Sequence, residues 1–159
     1  MGLDDLHAAI GRMQRLFTNR RVFGLAASVA GVDVSQQAMQ VLTVIAQEGP
    51  LTLGDVAHRA RMDAGAVSRQ IRPLIEADLI ERRHGPGTSV IVQATATGAA
   101  AVADFRAVRD GQLARALAGW TADDRQRFAE LMTRFVADVS ATPYQALDHQ
   151  GAGAKRGNR

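Results

Sequence analysis

The chain has 159 residues, 47% of them hydrophobic but only 4% aromatic, with a formal net charge of +3. That length suits one domain with an extension, and a core drawn from Leu, Val, Ile, Ala and Met favours packed helices over a large sandwich. No cysteine occurs, which excludes disulfides, thiolate metal sites and cysteine-based peroxide sensing in this chain by itself.

Leu6, Ile10, Met13 and Phe17 recur at helical spacing and predict one long first helix over about residues 3–28. Ser35 suits the N-cap of the next helix. There Ala38, Val41, Leu42 and Ile45 form the inward stripe, and Gly49-Pro50 the stop. Thr52 opens a third helix, with Asp55 three residues on to complete a capping box and suit the positive helix end; the helix ends near Arg61. Asp63 then offers a new N-cap, and behind it Val67, Ile71 and Leu74 make one buried stripe. The opposite face carries Gly65, Ser68, Arg69 and Arg72.

Two short capped helices about a turn apart, followed by basic residues on a strand, form a helix-turn-helix pattern more specific than either helix alone. The apolar back and Ser/Arg front of the second helix suit entry into the major groove, where Arg reads guanine and Ser bonds bases or phosphates. Between Arg59 and Arg72 four arginines (Arg59, Arg61, Arg69 and Arg72) face one acid, Asp63, so this surface is locally positive. Glu81-Arg82-Arg83-His84 and Ser89-Val90-Ile91-Val92-Gln93 predict two short strands about a turn at Gly85-Pro86-Gly87, a candidate wing in which at least one of Arg82 and Arg83 is expected to meet phosphate, the alternative being that both pair with acids such as Glu81 or Asp78. The DNA-binding lobe is therefore expected over 35–95.

From Thr97 to about Leu117 an Ala-rich helix turns Val102, Phe105 and Val108 inward, and Thr121 with Asp124 opens a last helix. That last helix carries Phe128, Leu131, Met132, Phe135, Val136 and Val139. One small domain cannot easily use so full a stripe, and a homodimer would hide it symmetrically. The fold expected is mainly α with a small β-hairpin wing: one winged helix-turn-helix domain over 1–140, dimerisation helices at about 3–28 and 97–139, and a flexible tail over 141–159.

Other chemistry finds little support. His7, His58, His84 and His149 include no pair at metal-ligand spacing, so no metal or cofactor is expected. Asp123-Asp124 is explained by helix capping rather than by a catalytic carboxylate pair. Gly85-Pro86-Gly87 lacks the residues of a phosphate loop, and no catalytic residues are assigned. The chain shows neither an apolar run of membrane-spanning length nor a secretion signal, and a soluble cytoplasmic protein is the expectation.

The order of elements and the residues together resemble the MarR family of bacterial transcription regulators. The resemblance spans roughly residues 3–139 and is carried by Val34-Ser35-Gln36-Gln37-Ala38-Met39-Gln40-Val41-Leu42, by Gly49-Pro50-Leu51-Thr52-Leu53-Gly54-Asp55-Val56-Ala57, and by Met62-Asp63 through Leu79-Ile80-Glu81-Arg82-Arg83. It implies a winged helix-turn-helix homodimer, joined through its terminal helices, that binds a roughly palindromic operator in double-stranded DNA. It also implies release by a small, commonly aromatic or phenolic, effector held between the dimerisation helices and the DNA-binding lobe, with His7, Arg15, Phe17, Met39 and Phe105 as candidate contacts.

The chain departs from the family pattern at three places. The Asp-x-Arg element usual at the wing tip is missing from His84-Gly85-Pro86-Gly87-Thr88, so minor-groove reading by a wing arginine does not carry over. Pro73 interrupts the reading helix, where a kink would re-aim Arg69 and Arg72. The first turn of that helix, Ala64-Gly65-Ala66, leaves Ser68, Arg69 and Gln70 to read bases. The rival function is a winged-helix protein–protein interaction module with weak or no specific DNA binding.

Overall fold

Most helix starts are set by side chains three residues ahead of the amide they satisfy. In the computed structural model, which describes residues 2–85, 87 and 89–142, Ser35 accepts from the Ala38 amide at 3.0 Å, Thr52 from Asp55 at 3.1 Å, Asp63 from Ala66 at 2.8 Å and Thr121 from Asp124 at 3.1 Å. Each cap contributes about 1 kcal/mol. The elements that result are α1 (Leu3–Phe17), α2 (Arg20–Val29), α3 (Gln36–Glu48), β1 (Leu51–Thr52), α4 (Leu53–Ala60), α5 (Ala64–Glu76), β2 (Ile80–His84), β3 (Val90–Ala94), α6 (Ala96–Ala116) and α7 (Ala122–Ala141). They fall into two compact units, Met1–Arg115 and Ala116–Arg159.

In the first unit, α3, α4 and α5 pack around a core in which Val41, Leu42, Ile45, Val56, Val67, Ile71 and Leu74 are all under 2% exposed. Burying each such side chain stabilises the fold by about 1.5–3 kcal/mol. The α3 stripe of Ala38, Val41, Leu42 and Ile45 is buried as its spacing predicts. Phe105 of α6 joins this core, while Val102 and Val108 pack against it half-buried. An ion pair between Glu48 and Arg59 links the end of α3 to α4.

The long first helix expected over 3–28 is instead two helices. Thr18 turns its hydroxyl back to the Gln14 carbonyl at 2.8 Å, and Asn19 caps α2 by accepting from the Arg21 amide at 2.9 Å. Both side chains compete for backbone groups that a continuous helix would use, so the chain breaks between them. The glycine at position 24 is accommodated inside α2.

The hairpin of β2 and β3 acquires a third strand, β1, to give an antiparallel sheet of order β1-β3-β2. Leu51 pairs with Val92 on one edge of β3, and Arg82 with Val92 on the other. Val92 is fully buried beneath this pairing. At the exit, Thr95 donates its hydroxyl to the Asp78 carbonyl at 2.7 Å and caps α6 by accepting from the Gly98 amide at 2.9 Å. A Cβ at Gly98 would stand only 1.9 Å from the Leu79 carbonyl oxygen, so glycine is required where α6 crosses the chain leaving α5.

The second unit is built on α7. Its Phe128, Leu131, Val136 and Val139 are exposed, and Trp120 meets Phe128 edge-on with ring centroids 5.3 Å apart. The tail expected over 141–159 lies, from residue 143 onward, outside the described residues. Among the described residues no helix is long and apolar enough to cross a membrane.

Candidate nucleic-acid interface

The outward face of α5 exists because its other face is fixed. Val67, Ile71 and Leu74 are wholly buried, which orients Gly65, Ser68, Arg69 and Arg72 to the exterior, where all four are exposed. Pro73 does not end the helix; α5 runs on to Glu76, and the Ala77 amide donates to the Pro73 carbonyl at 3.0 Å. Because proline has no amide hydrogen, the Arg69 carbonyl loses its helical donor, but it lies on the exposed side, where water is available.

The arginines differ in what holds them. Arg72 donates to Glu76 at 2.8 Å, and that hydrogen bond, with the carboxylate's charge, holds its pKa above the usual guanidinium value. Both groups are largely in solvent, where such a pair contributes little and a phosphate can compete for the guanidinium. Arg69 makes no ion pair among the described residues and lies along the helix toward Gly65. Arg61 occupies the turn between α4 and α5 in the left-handed region, with φ 51°, a conformation that costs a non-glycine residue about 1–2 kcal/mol.

Gln70 is placed differently from its neighbours. Its Oε1 accepts from the Ser35 hydroxyl at 3.0 Å, and its Nε2 donates to Gln37 Oε1 at 3.4 Å. The side chain therefore ties α5 to the start of α3. Periodicity could not show this, because position 70 lies on the flank between the buried and outward faces and its partners are more than thirty residues earlier.

On the hairpin, strand alternation separates two adjacent arginines. Arg83 shares a face with Glu81 and donates to Glu81 Oε1 from Nε at 3.1 Å and from Nη2 at 2.8 Å, while Gln93 reaches the same oxygen at 2.8 Å. Arg82 projects from the other face and has no hydrogen-bond or ion-pair partner for its side chain among the described residues. Pro86 and Thr88 of the wing turn lie outside the described residues.

The candidate effector contacts are only partly brought together. The Arg109 guanidinium lies 5.6 Å from the centre of the Phe17 ring and 6.0 Å from that of Phe105, and Phe23 meets Phe105 at 5.4 Å. Met39 belongs to the same buried core as Phe105. His7 is exposed on α1, and Arg15 lies back along α1 over Gly11. Phe23 and Arg109 were not among the sequence candidates. Arg109 stands one turn beyond Phe105 on α6, a spacing that could have flagged it. No group of three potential metal ligands occurs among the described residues.

Comparison with known proteins agrees with this architecture. The family model of the MarR family matches residues 34–87. Two mycobacterial proteins, an uncharacterized HTH-type transcriptional regulator from Mycobacterium bovis and an HTH-type transcriptional regulator from Mycobacterium tuberculosis, are each 30% identical over 141 residues, covering 87% of this chain and 93% of their own. Among solved structures, a MarR family protein from Bacillus stearothermophilus superposes with a TM-score of 0.74 at 13% identity, covering 88% of this chain and 99% of its own. A MarR family transcriptional regulator from Silicibacter pomeroyi gives 0.65 at 21% identity, covering 90% and 96%. With the winged helix-turn-helix geometry and a relative of this identity across nearly its whole length, the chain belongs to the MarR family of transcriptional regulators.

Proposed function

We propose that this protein is a homodimeric, sequence-specific DNA-binding repressor that acts in the cytoplasm on a roughly palindromic operator. The observation that carries the reading is the outward face of α5, where Ser68 and Arg69 stand exposed on a helix whose back is fully buried. A helix held in that way presents base-reading groups from a fixed backbone, and two such helices in a dimer meet half-sites about one helical turn apart. The exposed apolar stripe of α7 supports the dimer, and so does the apolar side of α1, with Leu3, Leu6, Leu16 and Phe17 exposed.

Release by a small aromatic or phenolic effector belongs to the same proposal. It is supported by the Phe17, Arg109 and Phe105 group, which joins α1 to α6 and offers ring faces beside a cation. The effector acts by favouring a dimer whose reading helices no longer fit successive major grooves, and a coupling of roughly 1–3 kcal/mol suffices. Selection of genomic fragments with the purified protein tests the DNA-binding part of this reading. Enrichment of a palindromic sequence upholds it, whereas retention of fragments without a shared sequence overturns it.

A further inference from the structure

We propose a second DNA-backbone contact at Arg20 and Arg21, which takes the phosphodiester flanking the bases read by α5; this rests on the DNA-reading role proposed above. Charge distribution is the first observation. From Leu6 to Gln47 the chain holds Arg12, Arg15, Arg20 and Arg21 against a single acid, Asp33. Arg20 and Arg21 are exposed, and their side chains have no hydrogen-bond or ion-pair partner among the described residues. They also occupy the first turn of α2, which contains no acid. Cations there oppose the helix dipole, an arrangement unfavourable until an anion arrives.

Position is the second observation. The Phe17 carbonyl, freed by the break before α2, accepts from Gln36 Nε2 at 3.1 Å, docking the α1–α2 turn onto the first residue of α3. The preceding residue, Ser35, donates to Gln70 on the reading helix at 3.0 Å. From Arg69 the surface thus passes through Gln70, Ser35 and Gln36 to the α1–α2 turn, which leads directly into Arg20 and Arg21 at the start of α2. The polar groups along this path are neutral amides and a hydroxyl. Duplex DNA engaged by α5 presents a phosphate backbone beside the groove, and Arg, Gln and Ser are residue types that bind it. A phosphodiester fits this surface because it needs positive charge and neutral hydrogen-bonding groups, without a pocket.

The test is fluorescence anisotropy over a salt series, using a labelled random-sequence 40-bp duplex and the strongest fragment from genomic selection. The proteins compared are the wild type, the R20A/R21A and R20K/R21K pairs, and Arg69→Ala. Removing both arginines is expected to lower the salt slope by roughly 0.9 for each phosphate that a subunit no longer neutralises, on both DNAs, while the operator-to-random affinity ratio is retained. The lysine pair restores the slope, because binding a phosphate needs the charge more than the fork. Phosphate-ethylation interference on the wild-type protein gives a reading independent of any variant and should map a phosphate beside the bases read by α5. If R20A/R21A keeps the wild-type slope while Arg69→Ala abolishes the ratio, the second contact is wrong and the reading helix stands. If the wild-type protein does not distinguish the two DNAs, the DNA-reading role itself fails and takes this proposal with it.

Discussion

The Arg69 guanidinium lies back along its own helix toward Gly65, so that a Cβ at Gly65 would stand 3.5 Å from Arg69 Nη1 and 3.1 Å from Asp63 Oδ1. A methyl group at Gly65 would therefore press on the capping carboxylate of Asp63 while making only ordinary contact with Arg69. Arg69→Ala should cost about 1–3 kcal/mol on the operator and much less on random DNA. Gly65→Ala should also weaken operator binding, although it alters stability by no more than about 1 kcal/mol. Equal weakening on both DNAs for Arg69→Ala, measured by anisotropy, would show that this residue anchors rather than reads.

The two hairpin arginines should part company. Arg82, which has no side-chain partner among the described residues, is expected to meet phosphate, so Arg82→Ala weakens operator and random DNA alike and lowers the salt slope by about 0.9 per subunit. Arg83 is already held by Glu81, and its alanine variant should leave the slope near that of the wild type. Titrations of the two variants at several salt concentrations check this, and reversed behaviour would refute it.

Pro73 lies in the last turn of α5, with the helix continuing three residues beyond it to Glu76. A proline in a helix interior costs about 3 kcal/mol, so Pro73→Ala should raise stability by up to that amount. Urea denaturation monitored by circular dichroism measures the gain. A fall in stability would mean that the surrounding packing requires the proline's geometry.

At the start of α6, Gly98→Ala would press a methyl group into the backbone of Leu79, which has no rotamer to yield. The expected destabilisation is about 3 kcal/mol or more, at the upper end of overpacking costs. An unchanged urea midpoint would contradict this crossing geometry.

Leu131 is exposed on α7 within the apolar stripe. If the stripe is a subunit interface, Leu131→Glu buries an unpaired charge in the dimer. Sedimentation should then show monomer, and operator affinity should fall because the two half-sites are no longer read together. A stable dimer with full operator affinity would place the interface elsewhere.

Local chemistry made much of this molecule legible from its sequence. Ser35, Thr52, Asp63 and Thr121 satisfy amides within three residues of themselves, and the Val67, Ile71 and Leu74 stripe follows from helical period alone, so the reading helix and its outward face needed no tertiary information. The remaining features depend on residues distant in the chain. The Phe17 carbonyl finds its donor in Gln36, nineteen residues on, β1 is a strand only because β3 lies beside it, and Gln70 turns to α3 because Ser35 and Gln37 are there. Arg82 and Arg83 are neighbours in sequence; strand alternation puts Arg83 on the face of Glu81, and the pairing register adds Gln93 to the same carboxylate. Caps and periods act over one or two turns of chain, whereas hydrogen-bond partners and charges are chosen by whatever the folded backbone brings within about 3 Å.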